Sequence, residues 1–158
     1  MCYANSCCFC MSLRSGCIAI SLFSIFSAGL NIDFIISILT DYKVARVKYL
    51  FPVTDINVLL QLVPEFLMII AAIFLFIYTI AHITFFVFLY VILAGSLMLY
   101  VLGFSIFSTI MRSNMIVNES KMYLIAYWIY VAFSFVTTIY FLYIALSYYK
   151  FNLESRRG

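Results

Sequence analysis

The longest apolar stretch of this chain most constrains what it can fold into. It runs from Val58 to Met111 and contains one Glu, one His and no Lys, Arg or Asp. A membrane-spanning helix needs about 20 apolar residues, so this stretch is too long for one crossing and suits two. The sequence therefore predicts two antiparallel helices, over residues 58–80 and 83–110, joined by a tight turn at His82.

Apolar segments on both sides of this stretch, Cys17–Leu39 and Tyr123–Ser147, can each supply one more crossing. The chain is 67% hydrophobic and 9% charged, whereas soluble domains are roughly 45–50% apolar and about 25% charged. We therefore predict an all-α integral membrane protein, a four-transmembrane-helix bundle with both termini on the same side. Residues 1–158 form a single membrane domain. Its helices are predicted over 17–39, 58–80, 83–110 and 122–149, with the main extramembrane loop at 40–57.

The sequence contains none of the motifs that would predict catalysis. It has no HExxH, no Gly-rich phosphate loop and no G-x-S-x-G nucleophile motif, each of which serves a defined chemistry. We therefore expect no enzyme activity, no cofactor and no metal site. A net charge of +3 is too small and too evenly spread for a nucleic-acid partner. The expected partners are membrane lipids and, through helix faces, other integral membrane proteins or further copies of this chain.

Two acidic residues, Asp33 and Glu65, lie inside predicted spans. Asp33 precedes the end of the first helix by about six residues, and Glu65 follows the start of the second by a similar number. Since these helices run in opposite directions, both carboxyl groups should lie at comparable depth. An acid within the membrane is a functional-site hypothesis by default, and this pair could carry a proton or an ion. Alternatively, each carboxylate could reach water or bond to Asn31, Gln61 or a tyrosine.

Small residues predict where the helices pack closely. Ser24 and Ala28 are four residues apart on the first helix, and Gly95 and Gly103 lie on the third. Small side chains allow neighbouring membrane helices to approach. The fourth helix has one mildly polar face, for which hydrogen bonding between helices is a more economical explanation than a ligand path. This face consists of Tyr123, Tyr127, Tyr130, Ser134 and Thr137.

The N-terminal segment is rich in cysteine, with Cys7, Cys8 and Cys10 shortly before the first helix. Cysteines next to a membrane helix are typical acceptors for S-palmitoylation, and simple reduced thiols are the alternative. The paired spacing typical of zinc sites is absent. A separate modification signal, the N-glycosylation sequon that begins at Asn118, lies in the predicted connection between the third and fourth helices.

Positive charge does not decide the orientation of the chain. The side with the termini carries four basic residues and the opposite loops carry five, so the positive-inside rule gives nearly a tie. The N-terminal cysteines favour a cytoplasmic N-terminus, and the sequon at Asn118 favours a loop on the other side. We therefore predict that both termini are cytoplasmic.

The segment Cys7–Gly16, CCFCMSLRSG, followed at once by an apolar helix, resembles a known family. It is similar to the Cys-rich, Arg-Thr/Ser-Gly segment of lysosome-associated tetraspan (LAPTM-like) proteins and of the insect pasiflora-type four-span proteins. The order of one larger and two short connections also fits. The resemblance implies a non-enzymatic protein with cytoplasmic termini, in the plasma membrane or endolysosomal membranes. It would act in endolysosomal trafficking or in assembling cell junctions.

Three functions are compatible with these features. The first is a structural or accessory subunit that scaffolds other membrane proteins through its helix faces. The second is a small proton- or ion-coupled transporter, or a channel subunit, that uses Asp33 and Glu65. The third is a lineage-specific subunit of a large membrane complex. Water-filled volume connecting the two acids to both sides would distinguish the second from the first, and the identity of the neighbouring chains would distinguish the third.

Overall fold

The computed structural model of the chain describes residues 12–45, 55–111 and 121–155, and this part is helical throughout apart from short helix-end residues. Its helices are α1 (Leu13–Ala45), α2 (Asp55–Ala81), α3 (Thr84–Ile110) and α4 (Lys121–Ser155). Each contains a segment long and apolar enough to cross a membrane. The prediction of an all-α chain with four helices long and apolar enough to span a membrane is confirmed.

The helices form a bundle in which chain neighbours are spatial neighbours. Helix α1 packs on α2, α2 on α3 and α3 on α4, and α4 closes the ring against α1. This up-down-up-down arrangement is the expected result of short connections between antiparallel helices. One end of the bundle, which we call the turn end, holds the α2–α3 connection, the start of α1 and the end of α4. The other is the far end.

Three helices, α1, α2 and α4, are longer than the predicted spans. Helix α1 begins at Leu13 because Ser12 caps it, its hydroxyl accepting a hydrogen bond from the backbone N–H of Ser15 at 3.3 Å. Helix α4 continues to Ser155, and the side-chain amide of Asn152 donates a hydrogen bond to the hydroxyl of Tyr78 at 3.2 Å. Hydropathy marks where apolar residues end, whereas a helix ends where its backbone hydrogen bonds end. Parts of the predicted loop 40–57 are accordingly helical, and residues 46–54 lie outside the described residues.

The α2–α3 hairpin turns at His82, as the sequence predicts. Helix α2 ends at Ala81 and α3 begins at Thr84, so two residues reverse the chain. His82 has a φ of 53°, a left-handed conformation in which histidine is enriched among non-glycine residues. Its backbone N–H donates to the carbonyl of Tyr78 at 2.9 Å, and its ring lies 6.3 Å from that of Tyr148.

Side chains from all four helices fill the turn end. The rings of Tyr78 and Tyr148 meet edge to face at 5.5 Å, and Leu75, one turn before Tyr78 on α2, is completely buried. We call this cluster the turn-end core. Its buried members are Leu13, Cys17, Ile20, Ala71, Leu75, Tyr78, Val87, Tyr90, Ala94, Ile144, Ala145 and Tyr148.

The outer surface of the bundle is apolar, with large side chains such as Phe26, Ile92 and Phe133 more than 60% exposed. Soluble monomers rarely expose continuous apolar surface on this scale. A lipid environment explains it, because lipid tails solvate these side chains as well as a protein interior does.

Two adjacent positions of α3 provide a matched test of this packing. Ala94 is fully buried in the turn-end core, whereas a Cβ atom added at Gly95 would meet nothing within 4 Å. We expect Ala94→Leu to lower the free energy of unfolding by about 1–3 kcal/mol through overpacking. Gly95→Ala should raise it by about 0.5–1 kcal/mol, since alanine favours the helix. Unfolding by SDS titration in mixed micelles measures both, and equal effects at the two sites would contradict the described packing.

Candidate functional site

An interior carboxylate marks the candidate site. Glu65 lies on α2, and its Oε1 accepts a hydrogen bond from the Nδ2 of Asn31 on α1 at 3.2 Å. The same Asn31 nitrogen donates to the hydroxyl oxygen of Tyr130 on α4. Three helices therefore meet at one polar point, which we call the Glu65 cluster (Asn31, Glu65 and Tyr130).

Asn31, and not Asp33, is the α1 residue that reaches Glu65. Two residues along an α-helix turn the side chain by roughly 200°, so Asn31 and Asp33 point in nearly opposite directions. Asn31 is half-buried in the bundle and Asp33 is exposed on its outer surface. Within the described residues no hydrogen bond joins Asp33 to Glu65, so the two acids predicted at one depth are not a carboxylate pair. The alternative prediction, that Glu65 bonds to Asn31, describes the observed contact.

Two cavities adjoin the Glu65 cluster. The middle cavity, of about 190 Å³, extends from Glu65 toward the turn-end core. The far cavity, of about 280 Å³, extends from Glu65 toward the far end. Residues of all four helices line them, and both cavities include Pro64, Glu65, Val101, Tyr130 and Val131.

The two cavities differ in polarity. The middle cavity is lined by five hydroxyl side chains besides that of Tyr130, namely Ser24, Ser27, Ser134, Thr137 and Thr138. The far cavity has an almost wholly apolar surface, because several of its polar groups bond to one another or to the backbone. Tyr100 donates to the carbonyl of Leu60 at 3.1 Å, and the hydroxyls of Ser105 and Tyr127 lie 2.8 Å apart.

The small residues predicted to pack occupy two different environments. Ser24 and Ala28 on α1 are buried, 7% and 3% exposed. Gly95 and Gly103 on α3 have no atom within 4 Å of an added Cβ, so they make no close contact within the described part of this chain. The close packing that the sequence predicts at these two glycines is therefore not seen in the described part of the chain.

The predicted modification sites cannot be placed in this fold. Cys7, Cys8, Cys10 and Asn118 lie outside the described residues, and their acylation and glycosylation stay predictions. Among the residues that are described, no group of three or more His, Cys, Asp or Glu side chains is arranged to hold a metal ion.

Tyr130, the α4 member of the Glu65 cluster, belongs to the mildly polar face that the sequence predicts on the fourth helix. Tyr127 and Tyr130 both bond to other helices, which is the interhelical hydrogen bonding that their spacing favours. Spacing alone did not identify which tyrosine meets the Glu65 cluster, because both lie on the same face. The Glu65 carboxylate can accept a hydrogen bond from a molecule in either cavity, or pair with a positively charged group there.

Comparison of the chain with protein-family models, curated proteins and solved structures found no match.

Proposed function

We propose that this chain is a non-enzymatic four-span accessory or scaffolding subunit that binds other membrane proteins through its helix faces. The observation that carries the proposal is Asp33, an acid on the outer surface of a membrane-spanning helix. Its neighbours on that surface, Phe34 and Ile36, are apolar and exposed. Asp33 is therefore a polar group on a face otherwise suited to lipid.

The hydrogen bond between Asn31 and Glu65 places α1 relative to α2, so the depth of Asp33 in the apolar layer can be estimated. The apolar run of α2 begins at Val58, so Glu65 lies roughly 10 Å inside it at 1.5 Å per residue. Asn31 is at the same level, and Asp33 is two residues nearer the far end. Asp33 thus lies roughly 7 Å inside the apolar layer. The apolar run of α1 ends at Leu39, six residues after Asp33, which gives a similar depth of roughly 9 Å.

An outward-facing carboxylate at this depth favours a protein partner. Ionisable side chains in membrane spans almost always face a bundle interior or a water-filled cavity and pair with another group. Asp33 has a short side chain, which limits how far it can reach toward the headgroups. A spanning helix that brings Lys, Arg or a hydrogen-bond donor to Asp33 would satisfy it. That helix belongs to another membrane protein or to a second copy of this chain.

The second function, a transporter or channel subunit, has less support. It needs water-filled volume from the acids to both sides of the membrane. The two described cavities meet at Glu65. The far cavity extends from there toward the far end, and the middle cavity extends the other way only as far as the turn-end core, which fills the remaining part of the bundle. Asp33 lines neither cavity.

The cellular setting is part of the proposal. We propose cytoplasmic termini and a place in the plasma membrane, at cell junctions, or in endolysosomal membranes, as the resemblance to the LAPTM-like and pasiflora-type families implies. A large membrane complex in which this chain is one subunit would use the same surface of α1. The identity of the partners distinguishes these settings.

Gentle purification of the tagged chain from its native membrane, followed by mass spectrometry, tests the proposal. The wild type should retain a membrane-protein partner or a second copy, and Asp33→Asn should reduce its yield about tenfold, equivalent to about 1.4 kcal/mol. Glu154→Gln is the matched control, because Glu154 is an exposed acid that pairs with Lys150 within α4 at 3.6 Å. Recovery of the wild type as a monomer alone, or equal partner yields for the two variants, would contradict the proposal.

A further inference from the structure

The Glu65 cluster and its cavities lie on a different side of α1 from Asp33, which lines neither cavity, so the proposed partner surface does not account for them. We infer that the two cavities form one binding site for a single-chain amphipathic amine. The ammonium group binds Glu65 and the alkyl chain occupies the far cavity. This inference is independent of the proposed scaffolding function.

The negative charge of the Glu65 carboxylate favours a cationic head group in the ligand. Glu65 lines both cavities, and neither cavity has a Lys, Arg or His among its described lining residues. The only side-chain donor described at its carboxylate is the neutral amide of Asn31. A carboxylate in low dielectric is strongly stabilised by a cation at hydrogen-bond distance. An ammonium group fits this requirement and can also donate to the hydroxyls of the middle cavity, such as Ser134 and Thr137.

The volume and the apolar surface of the far cavity favour an alkyl chain as the tail of the ligand. It is apolar over most of its surface and is continuous with Glu65. Its combined volume with the middle cavity, about 190 and about 280 Å³, is within the range of small-molecule sites, roughly 300–1,000 Å³. One alkyl chain beside a small head suits this space better than a lipid with two chains.

A route from the bilayer is present on the outer surface. Phe34, Leu60 and Tyr100 line the far cavity and are 45%, 39% and 39% exposed. The cavity therefore reaches the surface that faces lipid. An amphipathic amine can enter from the membrane without crossing the turn-end core, which closes the opposite half of the bundle.

Photocrosslinking of the full-length protein in nanodiscs tests this site. The probes are two long-chain compounds with a diazirine in the same position of the chain, one ending in a primary amine and one in a primary alcohol. We expect the amine to label the lining of the far cavity, at Phe34, Leu60 and Phe104, about tenfold more than the alcohol does, because only the ammonium pairs with Glu65.

Two variants sharpen the test. Glu65→Gln should lower amine labelling to the level of the alcohol, and Asp33→Asn, which removes an acid outside both cavities, should leave it unchanged. Equal labelling of the wild type by the two probes would overturn the inference, and so would labelling spread over the lipid-facing surface. The comparison of probes on the wild type needs no variant, so it remains decisive even if the Glu65→Gln protein misfolds. Loss of a protein partner in Asp33→Asn tests the scaffolding function separately.

Discussion

Replacing Leu75 by Ala is expected to lower the free energy of unfolding by about 2 kcal/mol, near the low end of the range for buried leucines in soluble proteins. Leu75 is completely buried in the turn-end core, where helices α1, α2, α3 and α4 all contribute side chains. The truncation leaves a cavity whose walls lose dispersion contacts. Moving the leucine side chain from lipid into the protein core contributes little to the free energy of unfolding, because lipid and core are both apolar.

Leu99→Ala on α3 is the matched control for this substitution. Leu99 is 63% exposed on the lipid-facing surface, and lipid fills the space that its side chain vacates. We expect a change of about 0.5 kcal/mol or less, as at other surface positions. Denaturation by SDS in mixed micelles measures both variants. Similar losses for Leu75→Ala and Leu99→Ala would mean that the turn end is not the packed half of the bundle.

Replacing Tyr90 by Phe is expected to stabilise the protein, raising the free energy of unfolding by about 1–2 kcal/mol. Tyr90 is 1% exposed, and its hydroxyl has no hydrogen-bond partner among the described residues. A buried polar group without a partner costs about 1–3 kcal/mol. Phenylalanine removes that group and keeps the ring that packs in the turn-end core.

Tyr78→Phe is expected to have the opposite effect, lowering the free energy of unfolding, although the two tyrosines are equally buried. Tyr78 is also 1% exposed, but its hydroxyl accepts a hydrogen bond from Asn152 at 3.2 Å. Loss of this hydrogen bond should lower the free energy of unfolding by about 1 kcal/mol, which is within the range measured for hydrogen bonds between membrane helices. The melting temperatures of the two variants in detergent should therefore shift in opposite directions. A decrease for both would show that the Tyr90 hydroxyl is satisfied in solution.

The candidate site was predictable only in part. The sequence identified Glu65 as an acid in an apolar span, and it offered Asn31 and a tyrosine as possible partners. Pairing Glu65 with Asp33 relied on depth alone, and depth does not specify which side of a helix a residue occupies. The structure separates Asp33 from Glu65 because Asn31 occupies the inward position on α1.

The helices themselves follow from the sequence alone. The length of an apolar run is a local property that the bilayer thickness converts directly into a membrane crossing, so Val58–Met111 specified a helical hairpin with its turn at His82. Only the tertiary structure decided the rotation of each helix. Apolar residues run around all sides of these helices, and lipid solvates them as well as the protein core does. The burial of Asn31, the exposure of Asp33 and the cavities at Glu65 therefore depend on how four helices pack together.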